Sequence, residues 1–288
     1  MASNMDISRH AAGRPSKGYL YKRHSAAVRV MHWINVLTVA VLLMSGIAIL
    51  GAHAALYWGK SSYTGAAPLI EITARLGNDG QPIGVTRILG HEFDTTGVLG
   101  VSSGPFGEPE PRAFPAWATI PDNQYLAEAR AWHIFFAWLF VLNGLAYILY
   151  GFASRHVARD LVPTRDDWRS IGRSIVDHLL LRHSRGEASK RYNVLQKLAY
   201  LGVVFVVLPL LVLMGLAMSP RLDALWPGWV DFVGGRQSAR TLHFALACLL
   251  IAFVAVHVFE VLVSGVWNHL RSMITGRYRV EPDLHEDR

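Results

Sequence analysis

Four long apolar tracts constrain this chain more than any other feature. Trp33–Leu50, Ile134–Ala153, Leu198–Met218 and Leu242–Val266 contain no Lys, Arg or Asp, and only the last holds an acid, Glu260. A spanning helix needs about 20 mostly apolar residues to cross an apolar core of about 30 Å. Backbone polar groups inside lipid must be satisfied within the helix. The expected fold is therefore an all-α membrane protein, a four-helix bundle with spans at about 32–50, 131–153, 197–218 and 240–266, and residues 1–288 form one domain. The first tract runs on through Gly51-Ala52-His53-Ala54 without a clean cleavage site, so it reads as a retained span rather than a signal peptide. Pro209 inside the third tract predicts a kink.

Charge sets the expected orientation. Residues 1–31 carry a net +5 and residues 152–197 again +5, whereas residues 51–130 carry −3. The positive-inside rule puts the N-terminus, the 154–196 loop and the 267–288 tail in the cytoplasm, and the 51–128 segment outside. At 17% charged residues the chain is also too poor in charge for a nucleic-acid binder. The 51–128 segment holds 11 of the 25 glycines and 7 of the 13 prolines. Residues 70–76 and 83–88 flank Asn78-Asp79-Gly80 and read as a β-hairpin. The segment is expected to form an ordered cap that docks a partner, with Tyr57, Trp58, Phe114 and Trp117 flanking the membrane entries. In the cytoplasmic loop, Thr164 and Asp167 form a capping-box pattern. Trp168, Ile171, Ile175 and Leu179 then follow at helical spacing, which predicts one amphipathic helix on the membrane surface or on the end of the bundle.

A single cysteine, Cys248, excludes a disulfide framework, Cys-ligated iron–sulfur clusters and covalent haem attachment. Metal chemistry then falls to the 13 histidines. Polar groups at membrane depth are functional by default, and four qualify: His32, His133, His243 and His257. The last two are 14 residues apart, about 40° short of four full turns at about 100° per residue, so they share a face. Along the axis they are about 21 Å apart, one near each leaflet, as two haems stacked across a membrane require. Pairing by depth gives His133 with His243 on the outer side and His32 with His257 on the inner side. Two axial imidazoles leave a haem no open site and favour electron transfer.

Arg29, Arg130 and Arg240 each precede one of these histidines by three residues, on the same helical face and nearer the water. An arginine there can hold a haem propionate bidentately; the plainer reading is snorkelling at a helix entry. Near the inner pair, Glu260 follows His257 by three and Asn35 follows His32 by three. The carboxylate suggests proton handling or a quinone contact, or an ion pair with Arg271 or another cytoplasmic arginine. His53 ends the first span and reads as an interface residue. His10, His24, His156, His178, His183 and His285 in polar segments, and His91 and His269 in loops, are expected to be solvated.

Residues 29–46 (RVMHWINVLTVAVLLMSG) resemble the first helix of the bacterial cytochrome b561 and nickel–iron hydrogenase cytochrome b superfamily, which includes formate dehydrogenase gamma-type and thiosulfate reductase cytochrome b subunits. The histidines at 32, 133, 243 and 257 match the gamma-type arrangement. Residues 52–59 (AHAALYWG) and 114–140 (FPAWATIPDNQYLAEARAWHIFFAWLF) look like a branch with an enlarged external loop. The resemblance covers about residues 20–275. It implies a di-haem b anchor in the bacterial inner membrane, passing electrons between a periplasmic redox subunit, such as a molybdopterin enzyme or a hydrogenase-like protein, and the quinone pool. Glu260, Asn35 and Asn193 are then candidates for the quinone site.

Two other readings stand beside it. One is a stand-alone quinone-linked oxidoreductase of small reductants, for which the bulky external segment has no use. The other is a non-redox membrane metal site. A catalytic zinc wants three converging protein ligands, which histidines about 21 Å apart on one helix cannot supply.

Overall fold

The computed structural model describes residues 18–61, 65–182, 190 and 192–280. His10, His183 and His285 lie outside them. The described chain begins with strand β1 (Tyr19–Lys22) and helix α1 (Ala26–Gly51). Six short strands follow: β2 (Ala55–Leu56), β3 (Ile70–Leu76), β4 (Pro82–Ile88), β5 (His91–Asp94), β6 (Val101–Ser103) and β7 (Pro109–Pro111). Next come α2 (Leu126–Ala153), α3 (Arg165–Arg169), α4 (Ile171–Leu179) and α5 (Val194–Gly202). The chain closes with α6 (Leu208–Ala217), α7 (Pro220–Leu225), α8 (Arg236–Val263), α9 (Val266–Thr275) and β8 (Arg277–Val280).

Four helical stretches are long and apolar enough to cross a membrane: Ala26–Gly51, Leu126–Ala153, Val194–Ala217 and Arg236–Val263. The first begins earlier than its apolar tract because Ser25 caps it, its Oγ accepting from the Val28 amide at 3.3 Å. His32 therefore sits nearly two turns inside the helix rather than at its start. The fourth ends at Val263, before the expected limit of 266, because Gly265 takes φ +109° and breaks the helix. In the third, Pro209 has no N–H to donate. The disturbance takes the form of a π turn over Val203–Val207, closed by the Leu208 amide on the Val203 carbonyl.

Helices α1 and α2 pack antiparallel along their length, and α6 packs on α8. Polar contacts fix the first register: Ser45 meets His133, Asn35 meets Asn143, and the Tyr150 hydroxyl donates to Ser25 Oγ at 2.8 Å. Met214, Ala217, Val230 and Ala239 bury the base of the second pair.

The molecule is mostly helical rather than all-α, since its described residues include three small antiparallel sheets. Two of them lie in the segment between the first two spans, where Gly and Pro leave no room for helix. The hairpin expected around Asn78-Asp79-Gly80 is present as β3 and β4, with Glu71 opposite Arg87 and their side chains paired at 2.9 Å. These strands belong to a sheet ordered β2-β3-β4-β5, and β6 and β7 form a second hairpin against it. Gly84 allows that contact, because a Cβ there would stand 2.0 Å from the Leu99 carbonyl oxygen. This cap is tied to the start of α8. The Ser238 hydroxyl donates to the Gly234 carbonyl at 3.2 Å and accepts from the Gly59 amide at 2.8 Å, and Lys60 pairs with Asp231 at 2.9 Å.

At the opposite end, β1 pairs with β8, joining the two ends of the described chain. The expected capping box forms, with Thr164 and Asp167 satisfying each other's backbone amides. The single amphipathic helix does not. It is broken at Ser170 into α3 and α4. Asp167 also meets the buried Lys197 ammonium at 2.7 Å, anchoring α3 to the third span. Burial alone would raise the Asp167 carboxyl, but Lys197 and Thr164 hold it below its ordinary value.

Candidate functional site

Helix α8 presents His243 and His257 to the seam between the two helix pairs. The structure brings His243 to His133 of α2, ring centres 6.3 Å apart, and His257 to His32 of α1, ring centres 6.4 Å apart. A metal–imidazole bond of about 2.0–2.1 Å, plus about 1.1 Å from nitrogen to ring centre, sets two rings on one metal about 6.3 Å apart. Both ring separations match that value. Among the described residues no three His, Cys, Asp or Glu side chains converge. The three-ligand zinc centre thus has no donor set there.

The outer pair is built with matching parts. For His133, α1 supplies Ser45 Oγ at 3.0 Å from Nδ1, and Gly46, where a Cβ would stand 3.3 Å from Cε1. For His243, α6 supplies the Leu211 carbonyl at 2.9 Å from Nδ1, and Gly215, where a Cβ would stand 3.4 Å from Cε1. In each case an oxygen holds Nδ1 and a glycine lets the helix close on the ring edge. Aromatic rings surround the inner pair instead. His32 meets Trp33 edge-on at 5.6 Å, and Phe253 stacks on His257 at 6.0 Å with 14° between planes.

The three arginines have different surroundings. Arg29 donates Nη1 to the Ile274 carbonyl at the end of α9, while its Nε is buried without a partner among the described residues, a donor suited to an anionic group. Arg130 is exposed one turn before His133. Arg240 has its two terminal nitrogens on the carbonyls of His53 and Ala55, so its fork ties α8 to the cap backbone.

Asn35 Oδ1 accepts from Asn143 Nδ2 at 2.7 Å, and the same amide reaches the Met31 carbonyl at 2.8 Å. Asn143 is buried in the second span and was not singled out from sequence, although an amide inside an apolar tract is a readable signal. Ser45, a hydroxyl in the first tract, is the same case. Glu260 lies 3.7 Å from His178 of α4. Asn193 caps α5, its Oδ1 taking the Gln196 amide at 2.8 Å.

Several histidines expected to be solvated, His24, His156, His178 and His269, are partly buried. His156 meets Asp160 at 2.7 Å, and His269 lies in α9, not in a loop, against Tyr278. His91 is exposed on β5. His53 stacks on Tyr57 at 6.3 Å.

Comparison with known proteins bears on this arrangement. The sequence pattern of the prokaryotic cytochrome b561 family matches residues 23–276. A protein of Azospira oryzae, named as a protein-methionine-sulfoxide reductase subunit YedZ1, is 32% identical over 152 residues, covering 53% of this chain and 73% of the relative.

Proposed function

The chain belongs to the prokaryotic cytochrome b561 family, and on that premise we propose that it is a di-haem b membrane subunit passing electrons across the bacterial inner membrane between a periplasmic redox partner and the quinone pool. The observation that carries this reading is the facing of two imidazole pairs, 6.3 and 6.4 Å apart, on spans one, two and four. A haem with two axial histidines supplies one-electron transfer and leaves no coordination site open to substrate. His133 and His243 would hold the outer group, and His32 and His257 the inner one. Arg29, through its buried Nε, and Arg130, exposed at the helix entry, would meet propionates. Glu260, beside His178, and Asn35 remain the residues proposed to face quinone on the inner side.

The uneven charge along the chain supports the N-terminus and C-terminus in the cytoplasm. The cap then faces the periplasm, as the docking surface for a redox partner. A relative named as a reductase subunit supports such a partner, with a molybdopterin or hydrogenase-like enzyme as the class proposed.

Histidine variants test the reading. His133→Ala or His243→Ala should each lower the haem content from two per chain to one, removing the same spectral component. His32→Ala or His257→Ala should remove the other. Loss of one and the same component from His133→Ala and His32→Ala would overturn the pairing.

A further inference from the structure

The outer and inner histidine pairs differ in where their second nitrogens go. Ser45 is fully buried, its hydroxyl within donating reach of the Val41 carbonyl at 2.7 Å and the Leu42 carbonyl at 3.3 Å. With Nε2 given to a metal, as the di-haem reading requires, the His133 proton sits on Nδ1, and the Ser45 oxygen 3.0 Å away accepts it. The Leu211 carbonyl facing His243 Nδ1 is an acceptor by nature. On that reading both outer rings donate from Nδ1 and offer Nε2 to the metal. Among the described residues, neither His32 nor His257 has a hydrogen-bond partner. Their neighbours Trp33 and Phe253 present ring faces and edges.

We propose that Ser45 and the Leu211 carbonyl act as positioning groups that make the outer imidazoles the stronger electron donors and so hold the outer iron at a lower potential than the inner one. The proposal rests on the di-haem reading above. An imidazole that donates its far N–H to an oxygen is more basic toward its metal. A more basic ligand favours ferric over ferrous iron, and hydrogen bonding around the ligands is one of the means by which a protein sets a haem potential. The two glycines contribute by allowing α1 and α6 to approach closely enough for these bonds to form. In the half-reduced protein the single electron then resides on the inner iron.

Potentiometric titration of the purified full chain, followed by visible and low-temperature spectra, tests this. The His133→Ala protein identifies the inner signal. The outer haem of the unaltered protein should titrate below the inner one. Ser45→Ala should raise the reduced-to-oxidised ratio of the outer haem about tenfold at fixed potential, a shift of about 59 mV for one electron, with the inner haem unmoved. Ser45→Thr keeps a hydroxyl able to bond the same carbonyl and should restore the original value. If Ser45→Ala loses the outer haem, its retention at an unshifted potential in Ser45→Thr supports the role of the hydroxyl, and loss from both overturns it. Equal or reversed potentials in the unaltered protein overturn the proposal, as does a Ser45→Ala protein with both haems and no outer shift. An unaltered chain without two haems removes the parent reading, and this proposal with it, before any titration begins.

Discussion

A histidine inside an apolar helix offers one nitrogen to a metal in a more fixed orientation, and as a more basic donor, when an acceptor holds the other. His133 and His243 each have one, and the two sources differ in visibility. Ser45 stands in the sequence as a hydroxyl in an apolar tract, whereas the Leu211 carbonyl belongs to the backbone and carries no residue signature at all. His24 shows the opposite case, a histidine without a ligand role. Burial, reinforced by the Arg23 guanidinium, lowers its imidazole from 6.5 to about 4. The folded state keeps it neutral while the unfolded chain binds a proton below about 6.5. Its contribution to stability is therefore complete above pH 6.5 and is lost as pH falls toward 4. Thermal unfolding of the detergent-solubilised protein should show the midpoint falling across that window. His24→Gln should flatten the fall, and an equal pH dependence in both proteins would contradict the assignment.

Among the elements, the cap depends on one side chain. Arg112 has a side chain only 2% exposed. Its guanidinium donates to the carbonyls of Phe114 and Asp122, to Thr119 and to Glu110, the carboxylate lying 2.9 Å away. Arg112→Ala strands these acceptors and should destabilise the cap by about 3 kcal/mol, read as faster proteolytic cleavage within residues 65–125. Arg112→Lys should recover little, because an ammonium cannot reproduce the fork. Unchanged cleavage in Arg112→Ala would contradict this role. The spans and the β3–β4 hairpin were legible because apolar length and the Asn-Asp-Gly turn are local signals. Other features were not. The contact of Asp167 with Lys197, thirty residues away, and the pairing of β1 with β8, which joins the two ends of the described chain, are set by the fold rather than by local sequence. Arg240 read as a propionate donor because its spacing from His243 is visible, while the cap carbonyls that engage it are brought near only by the fold.

For the whole molecule, the two ends of the bundle differ in kind. One carries the cap, and the other carries β1, β8 and the cationic loops. In the orientation we propose, an impermeant thiol reagent should label Asn78→Cys from the periplasmic side of intact cells, in a Cys248→Ser background. Arg277→Cys should react only after the membrane is opened, and the reverse pattern would contradict the orientation. The fold holds two imidazole pairs, one toward each end, with α8 contributing to both. That arrangement has a direct spectroscopic consequence. A dithionite-reduced minus oxidised spectrum of the purified chain, combined with haem quantification, should show b-type haem at two per chain. A preparation with no haem, or with one haem that survives loss of either histidine pair, would contradict the account.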